Sequence, residues 1–149
     1  MVGLVLLLSR VRRLLLAVLV IGMSGTLVEL LLLAHYEDTA QIIPLALIVV
    51  ALVVVAWHLA RPSAATVRAL QGAMTLLLFA GIAGISLHFQ GASEFQLEID
   101  PSQGRWDLFR KVVRAHAPPL LAPGVMLQLG FIGLIYTYGH QVITTTPSP

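Results

Sequence analysis

Three observations predict an all-α integral membrane protein, an up-down bundle of four transmembrane helices forming one domain over residues 1–149. The first is a set of four apolar stretches, residues 14–34, 42–60, 69–88 and 120–140. Each is close to the roughly 20 helical residues that cross a hydrocarbon core about 30 Å thick. The second is composition: 58% of residues are hydrophobic, 11% are charged and the mean hydropathy is +0.91. Soluble domains carry about 25% charged residues, so a water-soluble fold is excluded. The third is the shortness of the links, which makes successive helices antiparallel neighbours. Only residues 90–119 leave room for anything else outside the spans.

Span one, residues 14–34, follows the cations Arg10, Arg12 and Arg13. These cations come after the first apolar run, Val2–Leu8, whereas a secretory signal places them before it, so no cleaved leader is expected. Gly22, Gly25 and Glu29 are spaced by three and four residues, which puts them on one helix face. Span two, residues 42–60, ends in Trp57 and His58. Span three, residues 69–88, repeats the first pattern with Gly81, Gly84 and His88. Span four, residues 120–140, carries Gly124, Gly130 and Gly133, with Gln128 near its middle. Small residues let membrane helices approach closely, so Gly22, Gly25, Gly81 and Gly84 are expected at helix contacts, and Gln128 as an interhelical hydrogen-bond anchor.

Cations set the orientation. Arg10, Arg12, Arg13, Arg61 and Arg68 flank one side of the spans, whereas the link His35–Gln41 has no Lys or Arg and carries Glu37 and Asp38. The positive-inside rule therefore places both termini in the cytoplasm of a bacterial inner membrane. Aromatic rings at the span ends fit headgroup depth, with Trp57, Tyr136 and Tyr138 inside and Tyr36 and Phe89 outside.

The outer loop, residues 90–119, splits in two. Glu94–Asp100 alternates polar and apolar residues without a break, the signature of a half-buried strand, with Phe95, Leu97 and Ile99 on one side. No second segment alternates in this way, so the strand calls for a partner protein. Residues 104–115 predict a helix lying on the membrane surface, with Trp106, Phe109 and Val113 as its apolar stripe. Pro118–Pro119 ends it, and a polar tail, Thr144–Pro149, is expected to be disordered.

Chemistry is sparse. Glu29 lies about five residues inside the outer end of span one, and an ionisable group within a span costs roughly 2.5–3.5 kcal/mol on insertion scales. It is therefore expected to point into the bundle or at a partner, as a proton or cation site or as a carboxylate orienting a histidine. His35, His88 and His116 share the outer side and, with Glu29, offer the ligand types of a zinc or copper site. His35 and His88, facing each other at one depth, are also candidate axial ligands for b-type haem. His58 and His140, at the inner side, read as interfacial residues.

The absence of cysteine excludes thiolate metal sites, disulfide exchange and covalently attached c-type haem. A net charge of +2 is too even a balance for nucleic acid. No phosphate loop, Gly-x-Ser-x-Gly, His-Glu-x-x-His or Asp-Asp signature is present, so the chain is read as more a non-enzyme than an enzyme. The leading expectation is a non-catalytic subunit or assembly factor of a larger bacterial inner-membrane complex. It would bind lipid together with other membrane subunits or a second copy of itself. Two alternatives stand beside it: a membrane redox or metal-handling protein with haem or a divalent metal, and a small oligomeric transporter or channel.

Overall fold

A computed structural model describes residues 2–114 and 121–140. It contains five helices: α1 (Val2–Leu32), α2 (Thr39–Ala60), α3 (Ala64–Ile99), α4 (Arg105–Val113) and α5 (Leu121–Thr137). Three of them, α1, α2 and α3, are long and apolar enough to cross a membrane. The apolar α5 has 17 residues.

α1 and α3 run well beyond the expected spans. α1 begins at Val2, because Leu, Val and Arg between residues 4 and 21 include no glycine or proline to interrupt the hydrogen-bond ladder. It stops in a left-handed cap: Ala34 has φ +52°, His35 N–H donates to Leu30 O at 2.9 Å and Ala34 N–H to Leu31 O at 3.1 Å. This pair of bonds satisfies the orphan carbonyls of the last turn and is usually built on glycine. α2 starts at Asp38, whose carboxylate accepts from Gln41 N–H at 2.9 Å. α3 starts with a reciprocal cap in which Ser63 and Thr66 each accept the other's backbone N–H.

The predicted strand does not form. Glu94–Ile99 are the last turns of α3, and no residue among those described is in a strand. Glu, Gln and Leu are good helix formers, and a helix satisfies its own backbone where a lone strand has nothing to pair with. The helical period also separates the residues expected on one side. Phe95 and Ile99 share a face, four residues apart, while Leu97 lies round the helix. All three are exposed, at 61%, 65% and 38%. The helix ends at Asp100 because Pro101 disfavours helical geometry in the residue before it, and Asp100 is extended (φ −143°, ψ 91°).

α4 forms close to where it was expected and folds back on the end of α3. Gln103 Nε2 donates to Gln96 O at 2.7 Å, Lys111 Nζ lies 3.8 Å from the Asp100 carboxylate, and the Phe89 and Phe109 rings sit 6.0 Å apart. The buried face differs from the expected one: Val112 is fully buried and Leu108 partly so, whereas Trp106 is 68% exposed. Phe109, which meets Phe89, also stacks on the exposed Trp106, 5.6 Å away.

The other four helices form a ring in chain order, α1 against α2, α2 against α3, α3 against α5, and α5 against α1, with no close backbone approach across the diagonals among the described residues. They enclose an apolar core that includes Leu19, Met23, Ile48, Met74, Leu77 and Leu129. α3 and α5 make the most extensive contact, through glycine. A Cβ on Gly81 would lie 2.7 Å from backbone atoms of Pro123 and Leu127; one on Gly130 would lie 2.8 Å from Met74 O. Rising numbers on α3 meet falling numbers on α5, so the seam is antiparallel. Ile21, Val53, Phe79 and Ile135 point outward and are exposed, an apolar exterior suited to lipid.

Candidate functional site

His35, His88 and Glu29 lie toward the outer end of the bundle, the one that the cation count would place outside, but not as a single site. His35 follows the α1 cap and His88 lies on α3; their rings stack 6.1 Å apart at 24°. The structure thus brings together the two histidines proposed as a ligand pair. Between them and the core lies a cavity of about 40 Å³, lined among others by Pro44, Gly84, Pro123 and Met126. Pockets for larger cofactors run to about 300 Å³ or more, so this space suits a water or a single ion, and the two rings as placed do not bracket a tetrapyrrole. No three His, Asp or Glu side chains among the described residues converge as metal ligands. His116 and the Pro118–Pro119 break, like the tail Thr144–Pro149, lie outside the described residues.

Glu29 departs from the expectation that it points into the bundle. It is exposed on α1, and its carboxylate has no hydrogen bond or ion pair among the described residues. Of its glycine companions, Gly22 faces Leu129 on α5, whereas Gly25 faces open space. The Gly22–Gly25–Glu29 row therefore winds from the bundle contact onto the outer surface. Gln128 is also exposed, on α5, and makes no interhelical hydrogen bond among the described residues. Gly81 and Gly84 do lie at a helix contact, both against Pro123.

The best-formed polar group sits at the opposite end. His58, near the end of α2, is 3% exposed and bonded through both ring nitrogens. Nδ1 lies 3.0 Å from Thr66 Oγ1 on α3, and Nε2 lies 3.0 Å from Tyr136 Oη on α5. Directions follow from donor supply. With the Thr66 hydroxyl proton placed on Ser63 O, 2.9 Å away, the matching tautomer has Nδ1–H donating to Thr66 and Nε2 accepting from the tyrosine. One histidine thereby ties three helices together. His140 closes the group, its ring 5.3 Å from His58 and 5.9 Å from Tyr136, with Nδ1 buried and unbonded among the described residues. Arg12 then joins the start of α1 to the end of α5: its Nη2 donates to Tyr138 O at 3.0 Å and Gly139 O at 2.7 Å. These are the carbonyls that a helix end leaves without partners.

The sequence held one signal for this group. His58, Thr66, Tyr136 and His140 all fall at the inner ends of their segments, at one depth. The separation of 78 positions from His58 to Tyr136 hides the bond itself. Among protein families, curated proteins and solved structures, comparison finds no match to this chain.

Proposed function

We propose that this chain is a non-catalytic subunit or assembly factor of a larger bacterial inner-membrane complex, with four spans and both ends in the cytoplasm. The observation that carries the reading is the outward-facing Glu29 beside the open Gly25. A carboxylate facing lipid is costly, and ionisable groups in spans characteristically face protein or water. A smooth notch beside it admits another helix at close range. Exposed Ile21, Val28 and Leu32 on the same helix add the apolar area such a contact would bury. The partner is a membrane helix bearing a hydrogen-bond donor or a cation at the depth of Glu29. Trp106 and Phe109, exposed on α4, add a second surface at the outer side. A pore through one copy is disfavoured, because the ring is filled by Leu19, Met23, Met74 and Leu77, all fully buried.

The chain has no cysteine, so site-directed cross-linking tests this cleanly. Gly25→Cys in native membranes should give a discrete cross-linked species, and Val53→Cys on the lipid side of α2 should not. Glu29→Leu should weaken that species while insertion stays normal. Equal, diffuse reactivity at both positions would overturn the reading.

The outer histidine pair supports a second reading, metal handling, with His35 and His88 as two ligands and the rest supplied by a partner or by His116. Elemental analysis of the purified protein tests it: stoichiometric zinc or copper lost in His88→Ala supports it, and a metal-free protein sinks it.

A further inference from the structure

The inner end holds a cavity of about 470 Å³ between the start of α1 and the ends of α2 and α5. Its walls are of two kinds. Leu8 and Leu16 from α1 and Leu59 from α2 make an apolar slot, while Arg12, Arg13 and His140 make a basic rim. Arg12 is fixed there by its bonds to Tyr138 O and Gly139 O, which use one of its three guanidinium nitrogens. The other nitrogens carry further N–H donors and have no partner among the described residues. Arg13 is exposed and has no partner among them. His140 Nδ1 is a third unmatched polar atom.

Two guanidinium groups with spare donors call for an anion, and their planar fork matches phosphate oxygens. The apolar slot decides which anion. A free phosphate or a nucleotide has nothing to place against three leucines, whereas a phospholipid carries its acyl chains beside its phosphate. Basic pockets between transmembrane helices on the cytoplasmic side suit anionic lipid headgroups. We propose that this cavity binds the phosphate of an anionic phospholipid, with Arg12 and Arg13 as its ligands and Leu8, Leu16 and Leu59 against the acyl chain. The site rests on the chain's insertion in a bilayer and is independent of any partner at Glu29. Seated there, the lipid joins the ends of three helices, beside the His58–Tyr136 bond that ties α2 to α5.

The test is native mass spectrometry of the delipidated full chain. Phosphatidylglycerol and phosphatidylcholine with the same acyl chains are titrated separately, and inorganic phosphate serves as competitor. Phosphatidylglycerol should bind at least tenfold more tightly than phosphatidylcholine, and millimolar phosphate should not displace it. Arg13→Gln should cut that preference severalfold, and Arg12→Gln should cut it further. Because Arg12 also holds α1 to α5, Arg13→Gln is the decisive variant: an unchanged preference in that folded protein overturns the proposal. Equal binding of the two lipids overturns it as well. Displacement by phosphate would show a site for free anions, and so would also refute the lipid assignment.

Discussion

The two ends of the bundle use the same residue types to opposite effect. At the inner end His58 is buried, bonded at both nitrogens and seated among three helices. At the outer end the His35 and His88 rings stack on each other but form no hydrogen bond among the described residues, and His88 is exposed. The α3–α5 seam beneath them differs in the same sense. Gly130 and Gly133 press against Met74 and Gly81 against backbone atoms of Pro123 and Leu127, while at the outer tip Gly84 meets the Pro123 ring. A histidine near a membrane interface is thus not informative by type. What decides its role is whether neighbouring helices bring complementary donors and acceptors to its depth. The inner end is built for cohesion; the outer end leaves its chemistry available.

The severest way to break that contrast is to wedge the seam. A Cβ at Gly130 lies 2.8 Å from Met74 O, a backbone atom that cannot swing aside, so Gly130→Leu should cost about 3 kcal/mol or more and prevent folding in mild detergent. Gly84→Ala should cost less, because it adds a single methyl group, set against the Pro123 ring instead of a backbone atom. Next comes the histidine comparison. His58→Leu strands the Tyr136 hydroxyl, while Thr66 keeps its bonds to Ser63, and leaving one buried group unpaired costs about 1–3 kcal/mol. His35→Leu and His88→Leu should each change stability by about 0.5 kcal/mol or less. Denaturant unfolding followed by Trp57 fluorescence reads both, and equal losses at the two ends would erase the distinction. Tyr136→Phe removes one bond of the same group and should cost about 1 kcal/mol.

Smaller effects sharpen the outer end. Ala34 occupies a left-handed backbone at φ +52°, where a side chain costs roughly 1–2 kcal/mol. Ala34→Gly should stabilise the α1 cap by about 1 kcal/mol, read as a raised unfolding midpoint. Smallest is a pH effect at the α3–α4 corner. The Ser102 hydroxyl and backbone N–H both donate to the Asp100 carboxylate, at 2.8 and 3.1 Å, and hold its pKa below the ordinary 3.8. A lowered folded-state pKa gives a contribution that is complete above the unfolded value and is lost as pH falls through the folded one. Amide exchange in residues 102–113 should therefore rise on acidification below about 3.8, and Asp100→Asn should flatten that response.

Much of the fold was legible because hydropathy reports length and burial directly. The long apolar helices, the helix after Pro101 and the Gly81–Gly84 contact all follow from residue type and spacing. The strand at 94–100 was misread because alternation describes side-chain polarity, while the backbone followed the helix already begun in α3. Glu29 and Gln128 could not be placed, since spacing assigns residues to a common face without saying what that face meets. The bonding within the inner cluster was invisible for the same reason: a histidine 78 residues from its tyrosine acquires meaning only when the ring of helices closes.

The unbroken run of α3 from Ala64 to Ile99 also has a mechanical consequence. Thirty-six residues make a rod about 54 Å long, inner-end capping box at one tip and the α4 platform at the other. α4 is stapled to that tip by Gln103, Lys111 and Val112, so it rides the rod as a pointer rides a lever. A tilt of about 10° at the inner seam would swing the pointer by about 9 Å on a rod of that length. A molecule that gripped Trp106 would thereby be geared to events at the far end of the rod.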